Sequence, residues 1–282
     1  MCPALPIAPA VAARARIMLP GIVPSDLLPR LTHALDAPSA FTPEALMRVV
    51  GLERNLSTRV APPLCFLDFD GDLSDWLVRE GRGATADWAC FHTQMVGLML
   101  DGVSCGIVPR TIGGPYTVLV AEQLHAAGAR LIVGITSAGR VAPTLPLPCV
   151  VVVDEAIRDE GTSFHYLAPS ASVTCPTPIG RQLSLEMEAV GWPVRRGAVW
   201  TTDAPYRETT AQLHRWADAG VLAVEMQAAS LFAFAHARGA QVGMVALVSN
   251  AVDHSGAQFD TGGHEHGYRV LSAVARAARD FL

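Results

Sequence analysis

Residues 221–253, VLAVEMQAASLFAFAHARGAQVGMVALVSNAVD, limit most sharply what this chain can fold into. From residue 226 to 238 the stretch is apolar on almost every side, which predicts a helix buried on all faces rather than one lying on a surface. Gly239 ends that helix. Residues 242–248 then form a continuous apolar run of strand length, as a strand covered on both faces of a sheet requires. Polar residues interrupt at two places: Glu225 and Gln227 where the helix begins, and Ser249, Asn250 and Asp253 where the strand ends. Helix starts and strand ends are where α/β proteins place their ligands.

A chain of 282 residues, 50% of them hydrophobic, can bury one large core in a single α/β domain. Residues 1–60 are proline-rich and read as an irregular arm, with a helix over 43–50 and a short strand and turn over 18–26; residues 61–282 form the domain. Every basic residue is arginine, so lysine Schiff-base or general-base chemistry is excluded. A formal charge of -5 without a basic cluster argues against a nucleic-acid partner. The six cysteines are scattered with no CxxC spacing, which reads as reduced thiols in a cytoplasmic protein. No apolar segment approaches the roughly 18 residues of a membrane span, and the N-terminus has no signal pattern. No His/Cys/Asp cluster has metal-ligand spacing, so neither a metal nor an organic cofactor is expected. His254, His264 and His266 read as part of a glycine-rich lid or surface loop.

Strands and helices alternate along the rest of the chain. Residues 103–109 predict a strand, IGGPYT a tight glycine loop containing Gly113, 116–127 a helix ended by Gly128, and 131–135 a second strand. The following segment, Thr136-Ser137-Ala138-Gly139-Arg140, reads as a loop whose N–H groups can wrap an anion or a sugar. Strands over 149–153 and 198–202, helices over 179–190 and 267–282, and polar clusters in RDEGTSFHY and TTDAPYRET complete the pattern. The expected fold is a single-domain three-layer α/β/α arrangement around a mostly parallel or mixed sheet. Earlier, LCFLDFDGDLSDWL has the outline of the haloacid-dehalogenase aspartate motif. Asp72 stands where that motif needs a threonine, and the required lysine does not exist here, so the acids read as a solvated turn.

TIGGPYTVLVAEQLHAAGA, LIVGITSAG, RDEGTSFHY, TTDAPYRET, VEMQAASLFAFAHARG and LVSN together resemble the nucleoside phosphorylase superfamily, of the uridine phosphorylase and hexameric purine nucleoside phosphorylase type, over roughly residues 101–282. The resemblance implies cleavage of the bond between base and ribose in a small-molecule nucleoside, with phosphate as a possible co-substrate, and a homodimer or higher homo-oligomer. Gln227 then stands at the ribose-binding glutamate, with Glu225 and Met226 beside it. Asn250 stands at the aspartate that protonates purines, and it cannot act as an acid. Asp253 is a candidate replacement. Tyr206, next to Pro205, is the candidate for stacking on the base, and Ser137, Gly139, Gly113 and His165 complete the implied substrate site. The Gly-Asp-Pro-x-Arg phosphate turn is absent from both 20–26 and 70–75, and Gly134 falls at the second phosphate arginine. Arg110 and Arg140 flank the glycine loops and are candidates to rebuild an anion site. Three readings therefore stay open: phosphorylase, hydrolase, and non-catalytic nucleoside binder.

Overall fold

A computed structural model describes residues 34–56, 61–90, 92–251 and 263–282. Expectations for residues 18–26, and for Asp253 and His254, lie outside them. Among the described residues, seven helices surround one ten-stranded mixed sheet. The three-layer α/β/α arrangement is as the alternation predicts. No helix of the described residues is long and apolar enough to cross a membrane.

The elements run α1 (Pro43–Arg54), β1 (Leu64–Asp68), α2 (Asp72–Arg79), β2 (Ala84–Ala86), β3 (Met95–Leu100), β4 (Val103–Pro109), α3 (Gly114–Ala126), β5 (Leu131–Arg140) and β6 (Cys149–Asp159). They continue with β7 (Ser172–Thr174), α4 (Gly180–Met187), β8 (Val194–Thr202), α5 (Thr210–Asp218), β9 (Ala223–Glu225), α6 (Ala228–Arg238), β10 (Val242–Ala251) and α7 (His264–Ala277).

The apolar runs form strands because each serves two cores at once. In β1, Cys65 and Leu67 pack on the side of α3 and α6, while Leu64 and Phe66 pack on the side of α2, α4 and α7. In β10, Met244 and Ala246 face the first core and Val245 and Leu247 the second. A strand covered on both faces has no polar side to show, so alternation vanishes from its sequence. Helix α6 is likewise buried at every residue from Ala228 to Ala235. Gly239 ends it in the left-handed conformation, φ 66°, which glycine adopts without steric cost.

Strand order is β10-β6-β8-β9-β5-β1-β4-β3-β2, and β10 also pairs with β5. The strands β5, β10, β6, β8 and β9 thus close on themselves, while β1 to β4 extend from β5 as an open wing. Closure depends on the length of β5. The segment Thr136–Arg140, expected as a loop, continues the strand, because β10 pairs along it as far as Arg140 and β9 pairs antiparallel at Gly139 and Arg140.

Candidate active site

One edge of β5 is shared between two partners that do not meet. Strand β1 pairs with it up to Asp68 opposite Ile135, and β9 begins at Gly139 opposite Val224. Among the described residues, 136–138 therefore have an edge with no strand beside it, and a cavity of about 590 Å³ opens there. Its lining includes Asp70, Ser137, Gly139, Tyr206, Glu208, Glu225, Met226, Gln227 and Asn250.

Each wall follows from the local fold. Strand β9 is parallel to β8, with Thr201 opposite Glu225, so the Glu225-Met226-Gln227 turn into α6 emerges beside Gly139. A bulge in β10 takes Ser249 out of register, so that Val248 sits opposite Ala138 and Asn250 opposite Gly139. The Asn250 amide donates to Ser249 Oγ at 2.9 Å. Tyr206 follows β8 in a short 3-10 turn and is fully exposed at the cavity mouth.

Glu225 has a structural task. Its carboxylate accepts from Thr201 Oγ1 and from the backbone N–H groups of Gln227 and Ala228 at 2.6 and 2.8 Å, which serves the open N-terminus of α6. Burial pushes its pKa from 4.5 up to about 7, against the lowering effect of those three hydrogen bonds. Gln227 is itself buried, and its Oε1 accepts from Met226 N at 3.2 Å. Glu208, half-buried on the cavity wall, is raised from 4.5 to about 7 by desolvation.

The acids after β1 are not a solvated turn. Asp68 is 4% exposed and accepts from Gly71 N, Ser74 N and Ser74 Oγ, which fastens β1 to α2. Parallel register carried two residues past Asp68 and Ile135 sets Asp70 beside Ser137. Both oxygens of Asp70 accept from Ser137, Oδ2 from the backbone N–H at 2.8 Å and Oδ1 from Oγ at 3.1 Å. Local sequence carried no sign of this, because the contact spans two strands distant in the chain.

The structure thus brings Ser137, Gly139, Tyr206, Glu225, Met226, Gln227 and Asn250 together, and Asp70 and Glu208 join them. Four other residues stand elsewhere. Gly113 caps α3 with φ 84° and does not line the cavity, although its neighbour Ile112 does. His165 lines a separate cavity of about 910 Å³ with Tyr166, Glu122 and Arg238. Arg110 pairs with the Asp75 carboxylate on an exposed surface, and Arg140 donates to Leu145 O at 3.5 Å. An arginine at 134 has no room, since even a Cβ there would lie 2.8 Å from the Phe69 ring and 2.6 Å from Met244 Sδ. His264 and His266, expected in a loop, form the first turn of α7. His264 Nε2 lies 3.4 Å from Asp72, and His266 stacks on Trp192 with ring centroids 3.5 Å apart.

A closed strand ring with a cavity at the ends of its strands, largely apolar but with a few convergent polar groups, is the arrangement in which α/β proteins place small-ligand sites. The sequence model of the Phosphorylase superfamily matches residues 88–282, and the chain belongs to that family. It is 26% identical over 155 residues to guanosine phosphorylase of Halorubrum lacusprofundi, covering 55% of this chain and 64% of the relative. It is 29% identical over 148 residues to uridine phosphorylase of Treponema pallidum, covering 49% and 57%. With uridine phosphorylase of Thermococcus kodakarensis it shares 26% over 192 residues, covering 62% and 67%. The first two matches reach less than two thirds of the relatives' length.

Proposed function

We propose that this protein cleaves the N-glycosidic bond of a nucleoside. The observation that carries the reading is convergence: the Glu225-Met226-Gln227 turn, Ser137, Gly139 and Asn250 lie on one cavity whose mouth carries Tyr206. Gln227 offers a donor and an acceptor to two ribose hydroxyls, Asn250 offers a hydrogen bond to the base, and Tyr206 offers a ring for it to stack on. With glutamine in place of a carboxylate at 227, the positive charge that develops on the sugar meets a neutral amide there, which lowers rate more than affinity. In the relatives named as phosphorylases the acceptor of the sugar is phosphate, and phosphorolysis of a purine or pyrimidine nucleoside is the reading they support. Water is the second candidate acceptor, and the Asp70 carboxylate in the cavity favours it.

The test is a panel of purine and pyrimidine nucleosides incubated with the full chain, with and without phosphate, scored for free base. Release confined to phosphate-containing reactions selects phosphorolysis, and release in its absence selects hydrolysis. Saturable binding of every ligand without turnover would leave a binding protein, and no binding of any nucleoside would overturn the proposal.

A further inference from the structure

The segment after Ile135 does hold an anion, and the anion is part of the chain. Ser137 gives its backbone N–H and its hydroxyl to the two oxygens of one carboxylate, that of Asp70. Such paired, charge-assisted donation is how a backbone segment holds a carboxylate or a phosphate. We propose that Asp70 occupies the anion position of this site, so that the sugar is transferred to water rather than to phosphate, with Asp70 as the base that takes the proton of that water. The proposal rests on the nucleoside reading above and specifies its acceptor.

Charge around the cavity agrees with this assignment. Asp70, Glu208 and Glu225 line it, and no arginine or histidine does so among the described residues. A phosphate dianion placed against Ser137 in this cavity would displace Asp70 or sit beside it, with no arginine or histidine of the described residues lining the cavity to offset either its desolvation or its repulsion. Arg110 and Arg140, the arginines that flank the glycine-containing segments, are engaged elsewhere, Arg110 with Asp75 and Arg140 with the Leu145 carbonyl. The position from which a third would reach the strand is filled by Phe69 and Met244 around Gly134. Asp70 is also suited to a base. Burial raises its carboxyl above the ordinary value of 3.8, against two lowering bonds from Ser137 and with Asp72 adding to the rise.

The step balances without another reactant. A water oxygen forms a bond to the anomeric carbon as the bond from that carbon to the base nitrogen breaks, and the bonding pair leaves with the base. One water proton passes to the Asp70 carboxylate, the departing base takes one proton from solvent, and Asp70 returns its own to solvent. Free ribose and free base are the products.

The test uses the full chain, its Asp70→Asn and Asp70→Ala variants, and Ser137→Ala as a milder change that leaves the backbone donor in place. Nucleoside turnover is followed in phosphate-free buffer made with oxygen-18 water, and inorganic phosphate binding is measured by calorimetry. We expect wild-type turnover independent of phosphate, with one heavy oxygen in the released ribose and no heat of phosphate binding. Asp70→Asn is expected to lose about 100-fold or more in kcat with KM changed less than about threefold, Ser137→Ala to lose less, and Asp70→Ala to bind phosphate saturably. Phosphate-dependent turnover giving a ribose phosphate, or wild-type hydrolysis rates in Asp70→Asn, overturns the assignment. If wild type binds no nucleoside, the nucleoside reading fails first. The phosphate titrations still decide the anion position, since binding by wild type equal to that of Asp70→Ala contradicts it.

Discussion

At the scale of single residues, the cavity holds three carboxyls in different conditions. Glu225 is fixed by three donors at the start of α6, Asp70 by two from Ser137, and Glu208 owes its shift to desolvation alone. Glu208 therefore gives the simplest pH prediction. Its carboxyl is raised in the folded protein to about 7 from an ordinary 4.5, so the fold favours the protonated form. The stability this contributes is complete below pH 4.5 and is lost as pH rises toward 7, because the unfolded chain gives up its proton first. Denaturant unfolding of Glu208→Gln should show a shallower decline of stability between those two values than wild type, and an identical slope in both proteins would contradict the account. Glu225→Gln should be destabilising, since an amide nitrogen would face one of the helix N–H groups that the carboxyl now serves, and by an amount that shrinks as pH rises from 4.5 toward 7, where wild type loses the stability tied to its raised carboxyl. Thermal melts across the pH range check this.

At the scale of elements, α6 and β5 show what can and cannot be read from sequence. The buried helix was legible because eight consecutive apolar or small residues leave no solvent face, and Gly239 marked its end. Phe232, fully buried within it, should cost about 3–5 kcal/mol when replaced by alanine, measured by chemical denaturation. Strand β5 was legible only up to Ile135. Thr136-Ser137-Ala138-Gly139-Arg140 has the composition of a loop, and only pairing with β10 and β9 holds it extended. For the same reason Asp68 and Asp70 looked like surface acids: the groups that bind them come from α2 and from a strand more than sixty residues away. Gly134 was visible as a departure from the family, but its cause is tertiary packing. Gly134→Ala should destabilise by about 1–3 kcal/mol, because the Phe69 ring and Met244 must both shift to admit one methyl group. A substitution within ~0.5 kcal/mol of wild type would show that this part of the core is looser than described.

At the scale of the whole molecule, β5 joins two substructures. On one side it belongs to the closed ring with β10, β6, β8 and β9, and on the other it carries the wing that begins with β1. The cavity lies where the ring and the wing part, so it draws Glu225, Met226, Gln227 and Asn250 from the ring and Asp70 from the end of β1. The family match begins at residue 88, after Asp70. The residue proposed to occupy the anion position thus comes from outside the matched part of the chain. The second cavity, beside His165, supplies an internal control. Calorimetric titration of a nucleoside panel into wild type, Gln227→Ala and His165→Ala tests the central claim most directly. The account predicts that a nucleoside bound by wild type loses about tenfold or more in affinity in Gln227→Ala, the worth of a lost buried hydrogen bond, and keeps its affinity in His165→Ala. Unchanged binding in Gln227→Ala together with loss in His165→Ala would place the nucleoside in the other cavity and contradict it.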